Sequence, residues 1–317
     1  NFFKLHLSWI VVCAFALLLV GGYHFLFSPP SNFPSGDIVT IARGASVPAV
    51  AQELARAHLI AHPTLLQFIL RVSGASARIQ AGAYRFGTPQ NLLTIAYRLV
   101  TGDFGLPPVR ITFPEGETAR DLAERVASAF SDISTANFLS AAQPYEGYLF
   151  PDTYLFSPSA DAESIVSTMR ENFNTKIASS SGEIAASGHS LSDIVIMASL
   201  VEKEARSTAV RHIVAGILWS RLERGMPLQV DAVFGYINNR DTYSPSLSDL
   251  TTESPYNLYL HKGLPPGPIA NPGLDSLDAA LHPTKTNYLY YLTDKNGVMH
   301  YATTFAGHQA NQRKYLK

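Results

Sequence analysis

Cysteine is nearly absent from this chain, since its 317 residues include one, Cys13. A disulfide needs two thiols, so none can form within the chain, and Cys13 lies in an apolar N-terminal run where thiol catalysis is excluded. The chain also has no marked excess of positive or negative residues, because it contains 24 Lys and Arg and 25 Asp and Glu. No basic stripe with interleaved aromatic residues is present, so we expect no nucleic-acid partner.

Several catalytic signatures are missing as well. The sequence has no His-Glu-x-x-His motif, and its ten His residues are scattered, so no metal is expected. It has no Gly-x-Ser-x-Gly elbow or Ser-x-x-Lys pair, which argues against serine acyl transfer. No P-loop or dinucleotide fingerprint occurs, so no cofactor is expected. Carboxylate chemistry remains, most naturally on glycosides.

A long apolar run is present near the N-terminus. Residues 8–27 contain no Asp, Glu, Lys or Arg, and as a helix they would extend about 30 Å, enough to cross a bilayer. Trp9 and Tyr23 lie near its ends, where aromatic rings favour the membrane interface. We predict a single transmembrane helix over 8–27, a cytoplasmic N-terminus over 1–7 and a Pro/Ser linker over 28–36. The alternative is a cleaved signal peptide, although Leu26–Pro30 offers no small-x-small cleavage site.

A strand–turn–helix pattern occurs twice after the linker. Ile38–Ile41 precedes Gly44-x-Ser46, and Val109–Thr112 precedes Gly116-x-Thr118, with apolar residues at matching offsets in the helix that follows. The pattern predicts a small α+β module over 37–140. Its Gly-x-Ser/Thr turn before a short amphipathic helix resembles LysM domains, which bind N-acetylglucosamine glycans. The alternative is a structural spacer without a ligand.

The remaining residues, 141–317, predict a larger α+β domain. An aromatic run over Tyr145–Tyr154 could line a sugar site or form a packed strand with a turn. A helix is predicted over about 209–224, and a hairpin at 288–293 and 298–303. The loop-rich region between them suits a substrate groove.

The segment 191–204 predicts a helix that carries the most informative carboxylate. Ser190 and Asp193 form a capping-box pattern before an apolar run. At about 100° per residue, Glu204 falls within the apolar stripe, whereas Glu202 falls well to its side. We therefore expect Glu204 to be desolvated, which would raise its pKa and suit a general acid. The alternative is that the helix ends there and Glu204 reaches water.

Four strings in order carry a family resemblance: Glu146–Tyr154 (EGYLFPDTY), Met197–Glu204 (MASLVEKE), Ser254–Tyr259 (SPYNLY) and Gly263–Ile269 (GLPPGPI). They resemble the membrane-bound endolytic murein transglycosylases, the MltG or YceG-like family, from the anchor to the end of the chain. One departure is Val230–Val233 (VDAV), where that family often has Thr-Asp-Pro-Thr. It affects the expected shape of the groove and not the chemistry.

The resemblance implies a fold, a location and an activity. The fold would be α+β, with one transmembrane helix, a LysM-like module and a catalytic domain built around a central helix that carries Glu204. The enzyme would face the periplasmic side of the bacterial inner membrane and cleave the MurNAc–GlcNAc bond of nascent peptidoglycan, leaving a 1,6-anhydro end. Its partners would be glycan strands, the membrane and the cell-wall synthesis machinery.

Candidate substrate-binding residues are polar side chains that could orient sugar hydroxyl and acetamido groups, and each could instead stabilise a turn: Gln229, Asp231, Tyr256, Asn257, Asn271 and Glu146. Two other functions stay open. A hydrolytic muramidase would need a second carboxylate, for which Asp231, Glu202 or Glu146 could serve. A glycan-binding scaffold would need no catalysis.

Overall fold

The computed structural model describes residues 2–240 and 245–316, with side chains from Val12 onward. It is an α+β protein whose chain forms two compact units. The first contains residues up to Val109 and Ser157–Ser159, and the second contains Arg110–Phe156 and the chain from Ala160. The predicted boundary at 140/141 differs from this division, because the helices of residues 119–142 pack within the second unit.

The first unit begins with a long helix, α1 (Phe2–Phe27). A small α+β core follows, formed by β1 (Ile38–Ile41), α2 (Val47–Arg56), α3 (Pro63–Val72), β2 (Gly82–Arg85) and α4 (Leu92–Thr101). Strands β1 and β2 pair antiparallel, with Ile38 opposite Arg85 and Ile41 opposite Gly82. Apolar residues of α2, α3, β2 and α4 close one core.

The apolar part of α1 is short where side chains are described. Across that part of the chain no single helix is long and apolar enough to cross a membrane, and Val12–Phe27 ranks among the shorter apolar helices. Two consecutive helices, Ser181–Ser187 and Leu191–Glu204, would be long and apolar enough if taken together, but the chain bends by 94° between them. The predicted interfacial Trp9 lies outside the described side chains.

The strand–turn–helix repeat is present in both predicted places. Ser46 caps α2 by accepting a hydrogen bond from the Ala49 backbone N–H, and Thr118 caps the corresponding helix of the second unit through a capping box with Asp121. The apolar residues at matching offsets are buried in both copies. The two copies fall in different units, so the repeat is local and does not define one module.

The second unit begins at Arg110, within strand β3 (Val109–Thr112), which pairs with β4 (Thr153–Phe156). Helices α5 (Ala119–Ala129) and α6 (Thr135–Ala142) lie between these strands in sequence. Helices α7 (Ala162–Ala178) and α8 (Ser181–Ser187) follow, and α9 (Leu191–Glu204) comes next. The chain then forms α10 (Thr208–Glu223), α11 (Val233–Asn238), α12 (Leu274–Leu281), the antiparallel pair β5 (Tyr290–Thr293) and β6 (Met299–Ala302), and α13 (Phe305–Tyr315).

Helix α9 forms the centre of this unit. The predicted capping box is present, since the Ser190 hydroxyl and the Asp193 carboxylate each accept a backbone N–H of the first turn. Every residue from Ile194 to Val201 is buried, because α10 and α12 pack against α9 and the core closes around it. The predicted helix over 191–204 is therefore confirmed, but it is buried all round and not along one stripe.

A glycine close to α9 shows how tightly the neighbouring loop is packed. Gly147 has φ +84°, and a Cβ built there would collide with Pro268 and approach a Val195 methyl group. Only a residue without a Cβ fits this left-handed turn at this distance. The loop at 146–149 is thereby held against the N-terminal half of α9.

Candidate active site

Glu204 is the last residue of α9, and its side chain is largely withdrawn from solvent. The Tyr291 hydroxyl donates a hydrogen bond to Glu204 Oε2 at 3.0 Å. Burial raises the pKa of Glu204 to about 7, and the Asp231 charge adds to this effect. Tyr291, the Ala232 backbone N–H and the Arg221 charge favour the carboxylate but do not cancel the effect of burial. Glu204 can therefore exchange a proton near neutral pH.

Asp231 lies close enough to act on Glu204 and is itself held in place. The Tyr259 hydroxyl donates a hydrogen bond to Asp231 Oδ1 at 2.5 Å. Burial raises the pKa of Asp231, and the bond from Tyr259 counteracts it by stabilising the charged form. Burial and the bond to Asp231 also raise the pKa of Tyr259, so this tyrosine keeps its proton and acts as a donor. The site thus contains two carboxylates, each bonded to a tyrosine hydroxyl.

Arg221 supplies a buried positive charge to the same site. Its guanidinium donates hydrogen bonds to the carbonyl oxygens of Leu289, at 2.7 Å, and Leu228, at 2.5 Å. These bonds fix the C-terminal turn of α10 to the start of the hairpin and to the loop before Asp231. Burial lowers the pKa of Arg221, while the surrounding tyrosines and Glu204 favour its charge.

The Glu202 side chain is also withdrawn from solvent, which its predicted position to the side of the apolar stripe did not indicate. Its Oε1 accepts a hydrogen bond from Arg211 Nη2 at 2.7 Å, and its Oε2 accepts the Gly273 backbone N–H at 3.0 Å. Its side chain is 5% exposed. Both oxygens are therefore occupied in an ion pair that joins α9 to α10 and to the start of α12, and neither is directed to a substrate.

Three of the six candidate substrate-binding residues, Gln229, Asp231 and Tyr256, are not buried. Gln229 is exposed, and its backbone adopts φ +50°, a conformation rare outside glycine. Tyr256 is half-buried, with its ring 5.1 Å from that of Tyr236. Asp231, the third, belongs to the carboxylate site described above.

The amide candidates are already occupied within the protein. Asn257 Nδ2 donates to the carbonyl oxygens of Leu250 and Thr252, and its Oδ1 accepts the Tyr259 backbone N–H. Asn271 Oδ1 accepts the backbone N–H groups of Gly147 and Leu149. Both side chains are buried, so the turn-stabilising alternative fits them better than contact with sugar.

Glu146 forms part of the same buried network. Its two oxygens accept the Ala119 backbone N–H at 3.0 Å, and Oε1 also accepts Asn271 Nδ2 at 3.0 Å. Burial raises the pKa of Glu146 to about 7, although these hydrogen bonds favour the charged form. Glu146 lies at the N-terminus of α5, where its charge also meets the helix dipole. Its contacts are those of a structural capping residue.

A cavity of about 720 Å³ opens beside the carboxylate site. Its wall includes residues from the start of α5, from α11 and from the end of α9. Glu204 is not among the lining residues, but Lys203 and Ala232 are. Since Lys203 precedes Glu204 and the Ala232 N–H contacts it, the cavity reaches the immediate neighbours of the carboxylate.

Sequence reasoning missed three residues of the site: Arg221, Tyr259 and Tyr291. Tyr259 stands in the SPYNLY string, but nothing in its pattern indicated a bond to Asp231. Arg221 falls at the end of a helix, where a basic residue is usually attributed to the helix dipole. Tyr291 is 87 residues from Glu204 in sequence, and no local signal connects them. Across the described residues, no group of three or more His, Cys, Asp or Glu could hold a metal ion.

A carboxyl group with a pKa near 7, desolvated and bonded to a single tyrosine, is typical of a general acid–base site. Residues 39–314 match the YceG-like family, so the chain belongs to that family. It is 33% identical over 305 residues to the endolytic murein transglycosylase of Bacillus subtilis strain 168, covering 88% of this chain and 84% of the relative.

Two further relatives agree with this assignment. The endolytic murein transglycosylase of Streptococcus pneumoniae strain D39 is 27% identical over 350 residues, and the alignment covers 95% of this chain but 63% of that relative. A YceG-like protein of Listeria monocytogenes, solved by crystallography, is 28% identical with a TM-score of 0.60, covering 87% of this chain and 99% of the other.

The two glutamates of α9 should respond oppositely to neutralisation. The raised pKa of Glu204 means that its contribution to stability is fully present below about pH 4.5 and is lost as the pH rises through about 7. At pH 8, Glu204→Gln removes the cost of a buried charge and should stabilise the second unit by as much as about 3 kcal/mol. Glu202→Gln removes the nearest ion pair of Arg211, whose other carboxylates, Glu115 and Asp275, lie at 3.8 and 3.6 Å, and should destabilise the second unit by about 2 kcal/mol.

Denaturant unfolding at pH 8, followed by the fluorescence of the buried Trp219, measures both changes. Repeating the measurement at pH 4 is the control, because the gain from Glu204→Gln should largely disappear there. Equal destabilisation by the two variants at pH 8 would contradict the assignment of different environments.

Proposed function

We propose that this chain is an endolytic murein transglycosylase, which cleaves the MurNAc–GlcNAc bond within peptidoglycan strands. The observation that carries the proposal is the environment of Glu204, a carboxyl group with a pKa of about 7 that adjoins an open cavity and, unlike Glu146, does not cap a helix. Membership of the YceG-like family and two relatives bearing this activity in their names support it. The activity is a lyase reaction that needs no metal and no cofactor.

In the first step Glu204 acts as the acid. It transfers its proton to the glycosidic oxygen as the bond between that oxygen and C1 of MurNAc breaks. With a pKa near 7, much of Glu204 is protonated at neutral pH, whereas an exposed glutamate would be almost fully ionised. The 2-acetamido group of MurNAc can assist by bonding to C1 as the leaving group departs, as in substrate-assisted glycosidases.

In the second step the same group acts as the base. The Glu204 carboxylate accepts the proton of the MurNAc 6-hydroxyl, whose oxygen bonds to C1 and closes the 1,6-anhydro ring as any bond between C1 and the acetamido oxygen breaks. Glu204 regains the proton it lost, so the reaction consumes no water. The Tyr291 hydroxyl stabilises the carboxylate between the two steps, because it donates a hydrogen bond to the charged form.

Hydrolysis is the second candidate, and Asp231 is the observation that favours it. A muramidase would use a second carboxylate to direct water to C1. Asp231 acts electrostatically on Glu204 and is oriented by Tyr259. The two reactions differ in their products, since hydrolysis leaves a reducing MurNAc end and the lyase leaves an anhydro end.

Mass spectrometry of digested murein tests the proposal. We expect the wild-type protein to release 1,6-anhydro-MurNAc ends from the interior of strands, and Glu204→Gln to lower the rate by at least about 100-fold, as for loss of an acid–base group. Glu223→Gln, the same change at an exposed residue on the last turn of α10, is the matched control and should retain wild-type activity. Reducing MurNAc ends would show that the protein is a muramidase instead. If the wild type and Glu204→Gln both leave the murein intact, the protein is a non-catalytic scaffold.

The pH dependence of the rate tests the role of Tyr291. Since Glu204 must be protonated to act as the acid, kcat/KM should fall above about pH 7 in the wild type. The bond from Tyr291 lowers the pKa of Glu204, so Tyr291→Phe should raise it and move the basic limb to higher pH by about 0.5–1 unit. Tyr288→Phe, on the same hairpin, should leave the limb in place. Identical profiles would exclude the hydrogen bond from catalysis.

We also propose that α1 anchors the chain in the bacterial inner membrane, with the second unit on the periplasmic side. Helix α1 has 26 residues, about 39 Å at 1.5 Å per residue, and residues 8–27 lack acidic and basic side chains. The anchor would keep the second unit near newly made strands and the cell-wall synthesis machinery. The reading of the first unit as a LysM-like, glycan-binding module also stays a proposal, supported by its capped strand–turn–helix.

Membrane fractionation tests the anchor. The full chain should remain in the membrane pellet after a carbonate wash and leave it only with detergent. A chain of residues 28–317 should be recovered in the soluble fraction, because it lacks α1. Release of the full chain by carbonate alone would contradict the proposal.

A further inference from the structure

The cavity beside Glu204 has a wall unlike that of a site for a neutral sugar. Acidic and basic side chains share it, among them Glu117, Arg120, Glu124, Lys203 and Arg240. Sugar hydroxyl and acetamido groups carry no charge, so they give no reason to gather so many ionisable groups. A ligand that bears charges of both signs does.

Several of these charges are satisfied within the protein. Glu117 pairs with Arg125, and Arg240 lies 4.0 Å from Asp249. Asp121 closes the capping box of α5, and Glu146 caps the same helix from the neighbouring loop. These groups shape the cavity wall and are not free to bind a ligand strongly.

Among the basic residues that line the cavity, Arg120 and Lys203 form no ion pair with any described residue. Arg120 is exposed on the first turn of α5, close enough for its charge to act on the Tyr236 hydroxyl across the cavity. Lys203 is half-buried and adjoins Glu204 in sequence. Both can donate to a carboxylate, and Glu124, which also lacks an ion pair there, can accept from an ammonium group.

Murein offers a ligand of this kind next to the bond that is cut. The lactyl group of MurNAc carries a short peptide stem with free carboxylates and, in its diamino acid, an ammonium group. We propose that this cavity binds the peptide stem, with Arg120 and Lys203 holding its carboxylates and Glu124 its ammonium group. This inference rests on the proposed function and assigns to the same site a preference for strands that still carry peptides.

Position supports the assignment. Lys203 and Ala232 line the cavity and also adjoin the Glu204 carboxyl group, one in the chain and one through its N–H. A MurNAc whose C1 lies at Glu204 would therefore lie next to residues that line the cavity. A volume of about 720 Å³ is sufficient for a tripeptide.

The test compares cleavage of two substrates by the full-length protein. One is murein strands with intact stems, and the other is the same strands stripped by an amidase. We expect the wild type to prefer stem-bearing strands at least tenfold in kcat/KM, mainly through a lower KM. The double variant Arg120→Gln, Lys203→Gln should lose that preference while its kcat on stripped strands stays close to wild type.

A matched control removes two positive charges elsewhere. Arg313 and Lys314 are exposed at the end of α13, so Arg313→Gln, Lys314→Gln should keep the wild-type preference. If the two double variants show the same preference, or the wild type shows none, the inference is overturned while the proposed function stands.

A binding measurement separates this inference from the proposed function. Calorimetry with the tripeptide L-alanyl-γ-D-glutamyl-meso-diaminopimelate should show binding to the wild type and at least tenfold weaker binding to Arg120→Gln, Lys203→Gln. Amidation of its carboxylates should weaken binding similarly. If the protein binds this peptide but cuts neither substrate, the proposed function fails and the site remains. If it cuts neither and binds no peptide, both fail.

Discussion

Desolvation at the C-terminal end of α9 is the constraint on which the site depends. The helix is surrounded by α10, α12 and the loop around Gly147, so a carboxyl group on its last turn cannot be fully hydrated. An unpaired charge there is costly, and the protein resolves this cost differently at the two glutamates. Glu202 receives a full ion pair, whereas Glu204 receives one tyrosine hydroxyl and a backbone N–H.

That difference separates a carboxylate held in an ion pair from one that can exchange a proton near neutral pH. With Arg211 at 2.7 Å and the Gly273 N–H at 3.0 Å, both oxygens of Glu202 are occupied and tie α9 to its neighbours. Glu204 is stabilised less, and its pKa stays near 7, where a proton can be given and taken back within one turnover. The ion pair of Glu202 thus holds in place the helix end that carries Glu204.

Local chemistry made much of this structure predictable. The Ser190–Asp193 capping box, the two strand–turn–helix copies and the hairpin follow from residues close together in sequence. The burial of Glu202 and the bond from Tyr291 to Glu204 depend on partners that are remote in the chain. Periodicity along one helix cannot show them, because it says which side a residue faces and not what covers that side. Glu204 was predicted for a reason only partly right, since α9 is buried on all sides and not along one stripe.

The buried network around Asn271 connects the two parts of the candidate site. Its side chain and backbone bond to the loop at 146–149, to Glu117 and to Gly116, while Glu146 caps α5 beside it. Arg120 therefore lies at the N-terminal end of α5, which is fixed to the loop at 146–149 that packs against α9. A polar network that is fully satisfied in this way is rigid. The distance between the cavity charges and the Glu204 carboxyl group is thus set by the core itself, without depending on the exposed loops around it.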